Sequence, residues 1–254
     1  MRNAEVDRQL TDFSVEVRRR HPTRPVIVGI NGPQGSGKST LAALLVQALH
    51  ARGLTALALS VDDFYLTHAE QRALAAAHPG NRALEFRGYP GTHDVALGTA
   101  TLTSLLAGKA TPLPRYDKSA HAGRGDRAPA STWSASPAGL EVILFEGWML
   151  GFRPVPSVPA DLEVPNQRLP AYDAWTSRLD TCIAMKAGSL DDIVRWRVDS
   201  ERARRDRGET ALSDAEARDY IERFLPAYRA WANTVEAEVT LQLDAERTFV
   251  SLTR

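Results

Sequence analysis

Gly29-Ile30-Asn31-Gly32-Pro33-Gln34-Gly35-Ser36-Gly37-Lys38-Ser39-Thr40 decides how the chain is to be read. From Gly32 to Ser39 it spells G-x-x-x-x-G-K-S. Glycines let successive backbone N–H groups turn inward and close around phosphate oxygens with no Cβ in the way. Lys38 brings a point charge to the outer phosphates, and the Ser39 hydroxyl is a ligand for Mg²⁺. The flanks agree with the motif. Pro25 to Ile30 is a short β-branched apolar run, as a buried strand would be. Leu41, Leu44, Leu45, Ala48 and Leu49 share one helical face, and Gly53 stands where the helix should end. Strand, glycine loop and helix predict a nucleoside triphosphate site built from Gly32, Pro33, Gln34, Gly35, Ser36, Gly37, Lys38, Ser39 and Thr40.

The bulk of the chain is compatible with one α/β domain over residues 1–254. Hydrophobic residues make up 43% and charged residues 24%, which suits a protein with a real core. Lys+Arg and Asp+Glu balance at 31 each, so no global basic field argues for nucleic acid or an anionic membrane. No apolar run approaches the length of a membrane span, and the start of the chain lacks the apolar stretch of a secretory signal. A cytoplasmic protein is expected. Cys182, the single cysteine, falls in an apolar run and is expected to be a buried thiol.

Outward from the loop, residues 1–24 predict an N-terminal surface helix with a basic end at Arg18-Arg19-Arg20. Leu54 to Ser60 predicts the next strand, which runs into Val61-Asp62-Asp63-Phe64-Tyr65. Ligand chemistry in wound α/β folds collects at the carboxyl ends of strands. An Asp pair there suits a base for a hydroxyl proton and a partner for metal-bound water, or a helix N-cap with a first-turn acid. Leu140 to Phe145 predicts another buried strand, ending at Glu146: either an acid near a metal or a structural salt bridge. Residues 87–127 are polar, glycine-rich and largely irregular, and such long segments are usually functional or disordered. Leu179 to Met185 predicts a further strand, and Val239 to Leu243 with Phe249 to Leu252 a last strand or hairpin. Between them a helix opens at Ser189 and carries Arg195, Arg197, Arg202, Arg204, Arg205 and Arg207. That face is either solvated or a phosphate clamp.

The chain lacks the N-K-x-D and D-x-x-G of GTPases and the L-S-G-G-Q of transporter ATPases. With Ser60 to Tyr65 and Leu144-Phe145-Glu146-Gly147 it resembles the uridine kinase, pantothenate kinase and phosphoribulokinase superfamily. Further segments resemble the plant and fungal type of D-glycerate 3-kinases within it: Asp62 to Thr67, His78-Pro79-Gly80-Asn81, Glu85 to Gly88, Gly91 to Asp94, Pro114 to Ser119, Gly123 to Arg127, and Gly147-Trp148 with Gly151 to Pro154. The resemblance runs from about Pro25 to Trp231. It implies a P-loop kinase fold with a mainly parallel five-stranded sheet flanked by helices and an Arg-rich lid near 195–208. It also implies ATP and Mg²⁺ as cofactors, and a small hydroxy acid, D-glycerate first, as acceptor. Asp62 matches the general base, Ser39 and Glu146 the metal ligands, Lys38 and Arg197 the phosphate-facing cations. Asp63, Tyr65, Arg87, His93, Arg115, Tyr116 and Lys118 lie in the segments that hold the acceptor. Uridine, pantothenate or ribulose 5-phosphate as acceptor, or an ATP-binding regulatory protein, are the alternatives. Asp63 departs from the uridine kinase pattern, which has Ser there.

Overall fold

The computed structural model describes residues 4–209 and 211–254. In chain order the elements are α1 (Ala4–Arg20), β1 (Val26–Asn31), α2 (Lys38–Ala51), β2 (Ala56–Ser60), α3 (His68–Ala77), α4 (Val95–Leu106), β3 (Tyr116–Asp117), β4 (Asp126–Arg127), β5 (Val142–Gly147), α5 (Glu163–Arg168), α6 (Asp173–Thr176), β6 (Thr181–Ala187), α7 (Leu190–Asp206), α8 (Asp214–Glu222), α9 (Leu225–Trp231), β7 (Val239–Leu243) and β8 (Phe249–Thr253). A short 3₁₀ turn, Val61–Phe64, follows β2 directly.

The main sheet has the order β2-β5-β1-β6-β7-β8. The first five strands are parallel to their neighbours, and β8 returns antiparallel to β7. The expected five-stranded sheet is thus a six-stranded one, because the turn at Asp244 and Arg247 folds Phe249–Thr253 back as a hairpin. Every residue of β1 and of β5 is buried, which is why both read as unbroken apolar runs and not as alternating ones. Alternate residues feed two cores. Val26, Val28, Ile30, Val142 and Leu144 pack with Leu41, Leu45 and Trp196 on one side. Ile27, Ile143 and Phe145 pack with Phe64 and Trp175 on the other. Cys182 is buried as expected, and burial pushes its thiol up to about 12.

Register aligns the carboxyl ends. Ser60 pairs across from Glu146, and Glu146 from Ile30, so β2, β5 and β1 end in one rank. The residues that leave those ends are Asp62, Glu146 with its successors, and the glycine loop. No helix among the described residues is long and apolar enough to cross a membrane.

Candidate active site

The glycine loop leaves β1 and enters α2 as its sequence requires. Gly35 and Gly37 hold φ of +80° and +88°, a left-handed backbone that a side chain resists. A Cβ on Gly35 would also lie 2.9 Å from Cβ of Trp196 and 3.0 Å from its carbonyl carbon, so α7 packs directly on the loop. The backbone N–H of Gln34 donates to the Tyr228 hydroxyl at 2.9 Å, and that hydroxyl donates in turn to the Gln34 side chain. Asn31, at the end of β1, donates to the carbonyls of Trp148 and Leu150 at 3.2 and 2.8 Å. These bonds fix the loop against α9 and against the segment that follows β5.

Glu146 is only 6% exposed. Its Oε1 accepts from the Ser39 hydroxyl at 2.8 Å, and its Oε2 lies 4.0 Å from Nζ of Lys38. Oε2 has no hydrogen-bond partner among the described residues, nor has the buried hydroxyl of Ser36. Buried polar atoms without partners are costly in an isolated protein. A carboxylate and a hydroxyl side by side, with an unsatisfied oxygen facing a phosphate cradle, form the hard donor set that suits Mg²⁺.

Asp62 sits in the 3₁₀ turn, where its N–H donates to Ser60 Oγ at 3.2 Å. Its Oδ2 accepts from Nζ of Lys118 at 2.5 Å, and the Tyr65 hydroxyl also donates to it. Burial works against ionisation, but Lys118, Lys38 and the Tyr65 hydrogen bond outweigh it. They hold the Asp62 carboxyl well below the usual carboxylate range. Asp63 points elsewhere. Its Oδ1 accepts from the Tyr116 N–H at 3.4 Å and its Oδ2 faces Arg115 at 3.5 Å. Burial raises its pKa, and Arg115 only partly offsets this. Asp63 therefore anchors the β3–β4 hairpin to the turn after β2, together with Arg127, which donates to the Tyr65 carbonyl at 2.9 Å. That anchoring carries Lys118, two residues beyond Tyr116, onto Asp62.

Backbone bonds from Leu66 to Thr92 and from Asp94 to Phe64 lay residues 64–66 along 92–94, and the Tyr65 and His93 rings stack at 4.4 Å. Nδ1 of His93 meets the Tyr172 hydroxyl at 2.8 Å, and its buried Nε2 has no partner among the described residues. Burial pushes the His93 pKa down to about 3, so the ring is neutral at physiological pH. Arg87 donates to the carbonyls of Gly123, Arg124 and Lys118 and lies 5.4 Å from the Tyr116 ring centroid. It shapes the hairpin turn.

The arginines of α7 are paired with acids. Arg197 bonds Glu201 and lies over the Tyr220 ring at 4.7 Å. Glu201, 1% exposed, also accepts from Arg204 and from the Leu212 N–H. Arg202 and Arg205 meet Asp214 at the start of α8, Arg207 meets Glu209, and Arg195 meets Asp192.

Lys38, Ser39, Asp62, Tyr65, Lys118 and Glu146 thus come together, with His93 and Tyr116 behind them. Arg87, Asp63 and Arg115 serve the hairpin, and Arg197 is held on Glu201. Tyr172 and Tyr228, which position His93 and Gln34, escaped sequence reasoning. Each sits in a short helical stretch three residues before a tryptophan, where an aromatic reads as core packing.

A glycine-loop phosphate cradle at the head of a mostly parallel sheet, with two carboxylates at the ends of the adjacent strands, defines a P-loop kinase fold. Residues 27–154 match the Phosphoribulokinase / Uridine kinase family, and the chain belongs to that family. It is 42% identical over 233 residues to the protein named D-glycerate 3-kinase, chloroplastic, of Arabidopsis thaliana; the match covers 88% of this chain and 51% of that protein. The chain spans about half the length of that relative. It is 36% identical to the Uncharacterized kinase mug58 of Schizosaccharomyces pombe, over 86% of this chain and 85% of that one. The solved structure of a D-glycerate 3-kinase from Cryptococcus neoformans var. grubii serotype A superposes with a TM-score of 0.90 at 27% identity, covering 98% of each chain.

Proposed function

We propose that this chain is an ATP-dependent kinase that phosphorylates a small hydroxy acid, with D-glycerate as acceptor and 3-phosphoglycerate as product. The convergence of Asp62, Glu146 and Lys38 at the ends of three adjacent strands carries this reading. Similarity to proteins named D-glycerate 3-kinase supplies the acceptor.

In this reading residues 1–254 act as one kinase domain. The loop from Gly32 to Thr40 cradles the phosphates of ATP, and Lys38 faces the outer ones. Ser39 and Glu146 would hold Mg²⁺, which supplies charge neutralisation across the phosphates. Asp62 accepts a hydrogen bond from the terminal hydroxyl of the acceptor and takes its proton. The hydroxyl oxygen bonds to the γ-phosphorus as the bond from that phosphorus to the β,γ-bridging oxygen breaks, and ADP leaves. Lys118 of the hairpin faces the acceptor's carboxylate, while Tyr65 and His93 form the floor beneath it. Neutral His93 serves as a shape and hydrogen-bonding element there, since it holds no charge for an anion. The segment near 195–208 is the lid of this proposal, and Arg197 reaches a phosphoryl group by leaving Glu201.

ADP release measured with D-glycerate, uridine, pantothenate and ribulose 5-phosphate in turn tests the proposal. Stimulation by D-glycerate above the other three is the expected result. Stimulation by another acceptor alone reassigns the substrate, and ATP binding with no phosphorylated product from any of them marks a regulatory protein.

A further inference from the structure

The Lys118–Asp62 ion pair places the ammonium group where the acceptor's hydroxyl must go. Oδ2 of Asp62 is the oxygen bound by Nζ of Lys118 at 2.5 Å. The Asp62 side chain is 25% exposed, so this is a partly buried carboxylate with one of its oxygens capped. The Lys118 side chain is 59% exposed and stands just past β3, on a turn that Arg87 holds through main-chain carbonyls and the Tyr116 ring. Its ammonium can therefore swing without disturbing the hairpin, whose anchors are Asp63 and Arg127. The other cations nearby face anions that do not react. Arg115 is on Asp63, and Arg127 is on Asp94 at 3.1 Å. Lys118 is the hairpin cation whose partner is the proposed base.

We infer that Lys118 is a specificity-determining residue that caps Asp62 until the carboxylate of an acid acceptor draws its ammonium away. A hydroxy acid brings its own anion to Lys118, and the exchange uncovers Oδ2 for the hydroxyl of the same molecule. A neutral polyol, or water, offers no anion and meets a capped base. One ion pair thus selects acids over neutral alcohols and restrains ATP hydrolysis while the acceptor site is empty. The inference rests on the kinase reading proposed above. The direction of the Asp62 shift agrees with it: burial alone would raise that pKa, and Lys118 is the largest influence that reverses it.

The experiment uses the full chain, with D-glycerate against glycerol and D-glyceramide as neutral counterparts of the same hydroxyl geometry. Lys118→Met is compared with Lys118→Arg, which keeps the cap, and with Lys118→Gln as a second neutral variant. Retained ATP affinity shows that each variant is folded. The neutral variants should lose about 10–100-fold in kcat/KM for D-glycerate, the scale of one charge-assisted contact. Their ATP hydrolysis without acceptor should rise roughly 5-fold or more, and their preference for acid over neutral acceptor should collapse to about tenfold or less. The acid limb of their pH–rate profile should move up, since Asp62 keeps its burial and loses its cation. Lys118→Arg should keep low hydrolysis and the preference.

If wild type uses D-glycerate but the neutral variants keep both the preference and the low hydrolysis, the inference is overturned and the kinase reading stands. If wild type uses a different hydroxy acid, loss of its preference over the corresponding amide in the neutral variants supports the inference, and a retained preference overturns it. If no acid stimulates ADP release, both are overturned.

Discussion

Gly35→Ala isolates the packing of the phosphate loop against α7. The residue sits at φ +80°, and the left-handed backbone costs a side chain about 1–2 kcal/mol. The new Cβ would meet Cβ, carbonyl carbon and carbonyl oxygen of Trp196 at 2.9, 3.0 and 3.1 Å. These atoms belong to a fully buried helical residue whose ring N–H is tied to the Ala245 carbonyl, so no flexible end can swing aside. Overpacking of that kind costs about 1–3 kcal/mol. A less flexible unfolded chain returns about 0.4–1 kcal/mol. The net expectation is roughly 1.5–4 kcal/mol of lost stability, measured by urea unfolding without nucleotide. Gly37→Ala is the internal control. Its φ is +88° but its Cβ would meet nothing within 4 Å, so backbone strain alone remains, about 0.5–1.5 kcal/mol after the same offset. Each kcal/mol should appear as a fall of about 2–4 °C in Tm for a chain of this size. Relief of the Gly35 clash moves the loop, so affinity for a non-hydrolysable ATP analogue should fall as well. Equal losses in the two variants would refute the argument from α7 packing, as would a harmless Gly35→Ala.

Three other substitutions address the chemistry and its pH dependence. Asp62→Asn should cut turnover by about 10²–10⁴-fold while ATP affinity, read by calorimetry, is retained; undiminished turnover removes Asp62 as the base. Glu146→Gln removes the buried charge beside Ser39 and Lys38, and a Mg²⁺ titration of activity should shift its midpoint upward by about tenfold. An unmoved midpoint would take Glu146 away from the metal. His93 has a folded pKa of about 3 against an ordinary 6.5, so below 6.5 the unfolded chain binds a proton that the folded one does not. Stability therefore falls as pH drops from 6.5 toward 3, by about 2 kcal/mol at pH 5. His93→Gln should shrink the stability difference between pH 7.5 and pH 5 by about that amount in urea unfolding. An unchanged difference would show that the ring is not held neutral.

The nucleotide half of the site was legible because its chemistry is consecutive. One run of residues supplies strand, cradle, lysine and hydroxyl, and local backbone freedom at Gly35 and Gly37 does the rest. Asp62 and Glu146 were legible for a topological reason. Each leaves a buried apolar run, and parallel register then brings their strand ends into one rank. The sixth strand was the weaker reading, since a short run near the chain end does not disclose whether it pairs or in which direction. The helix at 190–206 was found, and the i,i+4 spacing of Arg197 and Glu201 lies within it, but the pairing of Arg202 and Arg205 with Asp214 was not legible, because Asp214 meets them only once α7 and α8 pack together.

The acceptor half shows why a cation in a sequence is an ambiguous sign. Arg87, Arg115 and Lys118 look alike as candidate clamps for a carboxylate, and only their partners separate them. Arg87 is occupied by main-chain carbonyls, whose release would unfold the turn. Arg115 stands over Asp63, whose other oxygen holds the hairpin to the turn after β2. Lys118 alone of the three is paired with the proposed base, and the two are separated by 56 residues of sequence. An incoming anion can compete for any of these cations, but under the proposed mechanism only at Lys118 does winning that competition change the reactivity of the site. The selective element we propose is therefore an ion pair: no list of positive residues contains it until the fold brings Asp62 and Lys118 together.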